Sequence, residues 1–358
     1  MKRSLKKKSQ RMDIRNVAAS AKVSIATVSR TINQVPSVDP KLAARVWKAI
    51  EELDYFPNSQ ARALVSGRSR LFGLIVSDIT NPFFPELIQS FEQVAVEKGY
   101  EILIGSTNYD PKRVELCIRR MLERKVDGVA IMTFGVEEAL LDQLASRDIP
   151  MVFVDVGSTH PRSSVLSIDY ERGIRQAVQH LAVLGHRKIG FISGPLRLHS
   201  AQARKNSFLT AIHEIGIKPH PAWIIEGDHM LEGGRDAMKK LLASGDRPSA
   251  LICSNDMTAI GVLHALHGEG LQAPKDLSVI GFDNIHIGEY MLPPLTSIQM
   301  SCMDLARGAV NALVEHLDPD NKTTKTKKVE ITTQLVVRQT TGFPPDSLGD
   351  LGKRGKKA

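Results

Sequence analysis

The stretch DIRNVAASAKVSIATVSRTIN, Asp13 to Asn33, decides how the N-terminal part of this chain folds. Asp13 is a good N-cap, and Ile14, Val17, Ala18 and Ala21 follow at i, i+3, i+4 and i+7, the pattern of a short amphipathic helix. Lys22-Val23 makes a tight turn, and Ser24 caps a second helix running to about Asn33. On that helix Val28 and Ile32 face inward, while Ala26, Ser29, Arg30 and Asn33 share an outward face that is small, polar or basic. Asp39-Pro40 then caps a third helix, with Leu42, Val46, Ala49, Ile50 and Leu53 as its stripe. Two short helices joined by a turn, the second with such a face, suit the major groove of DNA. An Arg there can bond a guanine edge twice, and Ser, Thr and Asn serve phosphates. Spacing alone also fits a generic three-helix bundle.

Charge singles out the same region. Residues 1–70 carry 15 Lys+Arg against 5 Asp+Glu, residues 71–320 carry 23 against 31, and residues 321–358 carry 9 against 3. A basic head on an acidic body suggests a polyanion-binding module joined to something else. The whole chain, 358 residues at a net charge of +8, is long enough for about two or three domains. No apolar run reaches the ~20 residues needed to span a bilayer, and the basic start has no apolar stretch behind it, so neither membrane insertion nor a secretory signal is expected. Three widely spaced cysteines, Cys117, Cys253 and Cys302, form no disulfide framework and no zinc spacing. The composition reads as a soluble, cytoplasmic, multidomain protein.

The residues themselves go further than their spacing. Asp13–Asn33 resembles the head of the lactose/galactose repressor family, and LDYFPNSQARAL, Leu53 to Leu64, continues the resemblance in order and spacing. The likeness runs to about residue 341. It implies a helix-turn-helix domain over 13–57, a hinge helix and linker over 58–70, a two-lobed effector-binding and dimerisation body over 71–341, and a basic tail over 342–358. It implies base reading by Ile25 and Ala26 with Arg30 one turn on, and backbone contacts from Thr27, Ser29 and Asn33, with Ser24 at the start of the same helix. Ile25 and Ala26 are apolar and meet only thymine methyls, so groove specificity leans on Arg30. Asn58 caps the hinge helix, which carries Ala61 and then Leu64. Leu64 matches the position that wedges between central base pairs in the minor groove. The hinge is too short to be a stable helix alone in water, and in the family it orders on the DNA complex.

From Leu71 onward, short apolar runs alternate with helical patterns: Leu71–Val76, Glu101–Gly105, Gly128–Met132, Met151–Val154, Lys188–Ile192, Trp223–Ile225, Ala250–Cys253 and Leu277–Phe282. Their spacing is that of βα units and their continuous apolarity that of buried parallel strands, which predicts an α/β body with parallel sheets in two lobes. Ligands in such sheets bind beyond the carboxyl ends of the strands. The polar residues placed there are Asp78, Asp155, Asp228, Asn255-Asp256 and Asp283, with Phe83 and Phe84 after the first strand. Converging carboxylates and amides suit vicinal hydroxyls. Taken singly, each Asp or Asn is as well explained as a helix cap.

The resemblance narrows the set. GPL at 194–196, SND at 254–256, GFD at 281–283 and PPLT at 293–296 look like the effector-binding core of these repressors, which is similar to periplasmic sugar-binding proteins. By position, Asp155, Arg204, Asn255 and Asp283 match residues that hold sugar in sugar-responsive members. Phe83 and Phe84 match the aromatic wall of the purine-responsive branch, and Ser200 and His229 fall on contact positions whose type varies with ligand. A sugar or sugar-like polyol is favoured, with a purine or a phosphorylated metabolite as the other options. No cofactor is implied.

His264 and His267 stand at a spacing that binds metal but have no clear third ligand, so no metal site is expected. No phosphate-loop, dinucleotide, zincin or nucleophile-elbow string occurs, and catalysis is not expected. A sugar-transport binding protein and a sugar-processing enzyme are the rival classes. The tail lacks leucine heptads, so the expected assembly is a homodimer on a double-stranded, pseudo-palindromic operator.

Overall fold

The computed structural model describes residues 13–345 except 34, 36, 57–66, 134–135, 156–159 and 319–326. The hinge residues Asn58, Ala61 and Leu64 therefore lie outside the described residues, as does the chain beyond 345. Two compact units separate, Met1–Ser69 and Arg70–Ala358.

The first unit holds α1 (Ile14–Ala21), α2 (Ile25–Ile32) and α3 (Pro40–Glu52). Asp13 caps α1, its carboxylate accepting from the Arg15 and Asn16 amides, and Ser24 caps α2 by accepting from Thr27 N–H at 3.1 Å. The turn between them needs Lys22 in the left-handed region, at φ 52°, and Arg45 of α3 fastens it by donating to the carbonyls of Ala21 and Lys22. Val17, Ala18, Ala21, Val28, Val46 and Ala49 form the buried centre, with Ile14, Ile32, Ile50 and Leu53 packed around it. That core is small, so the capping bonds carry a sizeable share of the unit's order.

The second unit is built on eleven strands: β1 (Leu71–Val76), β2 (Glu101–Ser106), β3 (Gly128–Met132), β4 (Met151–Val154), β5 (Ser163–Asp169), β6 (Ile189–Ser193), β7 (Ile224–Glu226), β8 (Ala250–Cys253), β9 (Ser278–Asp283), β10 (Thr296–Met300) and β11 (Lys327–Val336). Their order is β2-β1-β3-β4-β5-β11-β10-β9-β8-β6-β7. The first five are parallel and make one lobe; β6 to β10 are parallel and make the other. β11 belongs to both, running parallel to β5 through Thr332 and antiparallel to β10 from Thr333.

Helices between the strands are α4 (Phe83–Glu97), α5 (Pro111–Glu123), α6 (Glu138–Ala145), α7 (Tyr170–Val183), α8 (His199–Glu214), α9 (Leu231–Ala243), α10 (Asp256–Gly268) and α11 (Cys302–Leu317). The chain leaves the first lobe after β5, since α7 packs on α8 of the second. It returns after β10, since α11 packs on α4 of the first, and β11 bridges the two sheets last. One buried apolar cluster runs from Phe72, Phe91 and Leu313 of the first lobe to Phe191, Phe208 and Phe282 of the second.

Eight of the strands lie on the apolar runs read from the sequence. β5, β10 and β11 were not among those runs, and the reason is physical. SSVLSID, TSIQM and KKVEITTQLV interleave polar residues that are buried but hydrogen-bonded, so apolar continuity does not mark them. Ser297 Oγ donates to Asp256, and Thr333 Oγ1 donates to the Asp169 carbonyl at 2.6 Å. The packed chain also runs past the tail boundary at 342: His186 Nε2 meets the Gly342 carbonyl at 2.9 Å, and Pro344 lies against Gly185.

Candidate functional site

A cavity open to solvent at its mouth lies at the carboxyl ends of the strands where the two lobes face each other. Phe83, Phe84 and Asp155 line it from the first lobe; Ser200, Arg204, His229, Asn255 and Asp283 line it from the second. All eight residues singled out from the sequence thus share one cavity. Asp78, Asp228 and Asp256 do not line it. The first two bond the amides of Thr80 and Met230 at 2.8 Å, the capping role that each Asp could play alone. Asp256 is buried, accepting from Ser297 Oγ at 2.5 Å and Ile285 N–H at 2.8 Å.

Arg204, 6% exposed, is the centre of the polar end. Its Nη1 donates to the Ser254 carbonyl at 2.5 Å, its Nη2 is 3.6 Å from Asp283 Oδ1, and its guanidinium lies over the rings of Phe282 and Tyr170 at 4.1 and 5.0 Å. Its buried Nε has no hydrogen-bond partner among the described residues. Asp283 is 7% exposed and its carboxyl likewise accepts no hydrogen bond there. Burial pushes that carboxyl up to about 7, Arg204 opposing and Glu86 adding to the rise.

The other polar groups hold one another. Asp155 accepts from Ile168 N–H at 3.1 Å and Tyr170 O–H at 2.5 Å; burial raises its pKa against the pull of those bonds. Asn255 caps α10, accepting from the N–H and Oγ1 of Thr258 and donating to the His229 carbonyl at 2.8 Å. Its capacity is thus spent on the Thr258 cap and on the His229 carbonyl. The His229 ring shares a 2.9 Å hydrogen bond with Ser254 Oγ, and burial depresses its pKa to about 3, so it is a neutral imidazole. Gly194 leaves room for it: a Cβ there would sit 1.9 Å from His229 Nε2.

The walls are largely aromatic. Phe83 and Phe84 meet edge to face at 5.3 Å, and Tyr109 and Tyr170 add two rings that the sequence reading did not include. Burial, helped by Asp78 and Asp283, pushes the Tyr109 phenol up to about 12. One signal common to the site is backbone: Tyr109, Asp155, His229 and Asp283 all have positive φ, at 57°, 62°, 68° and 106°. Non-glycine residues seldom adopt this region, and these four are among twelve that do so in the described residues. A search for strand ends followed by any polar or aromatic residue would have found Tyr109. Tyr170 went unread because β5, which delivers it, was not recognised.

In the first unit, Ile25, Ala26, Arg30 and Asn33 are exposed along one face of α2, and Ser29 is half-buried. The Arg30 guanidinium has no partner among the described residues, whereas the Ser24 and Thr27 hydroxyls pair with each other at 2.9 Å. Outside the cavity, Glu138, Asp142 and His160 bring three ligand atoms within 4.8 Å of one another, the carboxylates being exposed and lying 3.0 and 3.3 Å from His160 Nε2. His264 and His267 are solvent-exposed. Among the described residues no helix is long and apolar enough to cross a membrane.

Residues 13–58 match the family described as bacterial regulatory proteins, lacI family, and residues 178–341 match the periplasmic binding protein-like domain. The HTH-type transcriptional repressor PurR of Haemophilus influenzae (strain PittEE) is 35% identical over 328 residues, 91% of this chain and 97% of that protein. The chain belongs to the lacI family of bacterial regulatory proteins. A structure of the Lac repressor dimer bound to operator and the anti-inducer ONPF superposes with a TM-score of 0.79 at 27% identity, covering 93% of this chain and all of that one. The complex of the transcriptional regulator CelR with cellobiose does so with a TM-score of 0.69 at 27% identity, covering 92% and 100%. As a lacI-family chain with a helix-turn-helix head and a two-lobed α/β body, it is a ligand-responsive, DNA-binding transcriptional regulator.

Proposed function

We propose that this chain is a cytoplasmic repressor, without catalytic activity, that binds a two-fold-symmetric operator as a homodimer. A sugar or sugar-like polyol in the cavity between its lobes sets the operator affinity. The observation that carries the ligand class is the Arg204–Asp283 pair at the polar end. Arg204 is a buried cation and Asp283 a buried carboxyl, with the two side chains 3.6 Å apart and both lining the cavity. Adjacent ring hydroxyls, which both donate and accept, suit such a pair, and the apolar face of a sugar ring suits Phe83 and Phe84. Ser200 and His229 complete the polar side, with Asp155 and Asn255 shaping it through Tyr170 and His229. The CelR complex holds cellobiose in a fold of the same kind. The aromatic walls also suit a planar heterocycle, and nucleobases are the second class to test.

Contact with DNA is assigned to Ser24, Ile25, Ala26, Thr27, Ser29, Arg30 and Asn33 on the recognition helix and to Asn58, Ala61 and Leu64 in the hinge. The division is a head over 13–57, a hinge over 58–70 and a body from 71, which packs through 345. A thousandfold change in operator affinity requires the ligand to discriminate the two states of the regulator by about 4 kcal/mol.

Arg30→Ala tests the head. Its exposed guanidinium on α2 is the side chain there able to read a guanine edge in two places. The substitution is expected to cut the preference for a selected operator over random duplex by ~1–3 kcal/mol, measured by fluorescence anisotropy on both DNAs. Equal loss on the two would assign Arg30 to the phosphates instead.

A further inference from the structure

The end of β9 is strained. Asp283 has φ 106° and Asn284 φ 58°, two successive non-glycine residues in the left-handed region, and such a turn persists only when its surroundings hold it. Three bonds from side chains to backbone amides do so. Ser297 Oγ accepts from Asn284 N–H at 3.0 Å, Asp256 Oδ2 accepts from Ile285 N–H at 2.8 Å, and Glu86 Oε1 accepts from His286 N–H at 2.9 Å. Ser297 and Asp256 belong to the same lobe as the turn. Glu86 comes from the other lobe, 200 residues away in sequence. It stands in the first turn of α4, between Phe84 and Leu87, which both line the cavity, although Glu86 does not line it itself.

We propose that Glu86 is a positioning residue for the effector site. By accepting from the His286 amide it braces the strained turn, sets the Asp283 carboxylate against the cavity, and makes that placement depend on how the two lobes are juxtaposed. A ligand touching Asp283 and the Phe83–Phe84 wall then meets two surfaces already linked behind it. The effector role of Asp283 rests on the reading given above; the bracing of the turn does not.

The test compares Glu86→Ala with Glu86→Gln in the full-length protein. Gln keeps an oxygen acceptor for His286 N–H and removes the charge. Without ligand, amide hydrogen exchange at His286 is expected to speed up about tenfold in Glu86→Ala, the loss of one hydrogen bond to a charged acceptor, and much less in Glu86→Gln. The melting-point rise given by saturating D-ribose, D-galactose, D-glucose or cellobiose, whichever acts most on wild type, is expected to shrink in Glu86→Ala and recover in Glu86→Gln. Unchanged His286 exchange in Glu86→Ala overturns the brace, and so does Glu86→Gln behaving like Glu86→Ala. If none of the four sugars acts on wild type, the sugar reading fails by itself, and the exchange result still decides whether Glu86 holds the turn.

Discussion

Arg204→Ala is expected to abolish the response to effector while leaving DNA binding by the head intact. The guanidinium is buried, bonds the Ser254 carbonyl and faces Asp283 at 3.6 Å, and the side chain lines the cavity. Truncation removes the donor for the ligand and leaves the Asp283 carboxyl buried without its cation. Losing a charged hydrogen-bond donor to the ligand costs about 1.5–3 kcal/mol, roughly a ten- to hundredfold loss in ligand affinity. The head has its own core around Val17, Val28 and Val46, so the loss stays in the body. Calorimetric titration of the effector and anisotropy on operator DNA separate the two. Arg204→Lys keeps the charge but not the planar fork, and is expected to restore folding stability more than ligand affinity. A normal response in Arg204→Ala would remove Arg204 from the site.

The second large effect is on pH dependence, through Asp283→Asn. The folded carboxyl titrates at about 7, against ~3.9 in an unfolded chain. Between those values the folded state holds a proton that the unfolded state has lost, so stability falls as pH rises through this window. Below it the group is protonated in both states and has no effect; above about 7 its full cost is present. Asn carries no proton to lose. Asp283→Asn is therefore expected to gain stability over wild type between pH 5 and pH 8, by as much as about 4 kcal/mol. His229 has the opposite sign. Its pKa of about 3 lies below the unfolded value of ~6.5, so stability is lost as pH falls through that interval. In wild type the two slopes oppose each other from about pH 4 to 6.5, and Asp283→Asn should remove the first of them. Urea melts at four or five pH values measure this, and a variant-to-wild-type difference that stays constant with pH would mean that Asp283 is ionised in the folded cavity.

These two residues also mark how far sequence carries. Caps, turn and stripe of the head were legible because each is local: Asp13, Ser24 and Asp39 act on amides two or three residues away. Asp283 and Asn255 at the ends of their elements, and Arg204 within α8, were legible because a resemblance fixed their positions. Hydropathy alone left Asp283 indistinguishable from Asp78 or Asp228, which turned out to bond local amides. What stayed hidden is non-local. Ser164, Thr296, Ser297 and Thr333 are buried polar residues whose partners lie on distant segments, so β5, β10 and β11 lacked an apolar signature. Tyr170 enters the cavity at one crossover between the lobes, and Glu86 meets His286 across the cleft; neither juxtaposition has a sequence period.

The claim that a small polyol in this cavity governs the regulator is met most directly by a thermal-shift screen. Full-length wild type and Arg204→Ala are melted against sugars, sugar acids, sugar phosphates and nucleobases. At least one sugar-like compound is expected to raise the wild-type melting point and to leave Arg204→Ala unmoved, which places the ligand at the Arg204–Asp283 pair. A compound that raises both equally would put the ligand elsewhere on the molecule, and a response confined to the nucleobases would replace the polyol with a planar heterocycle.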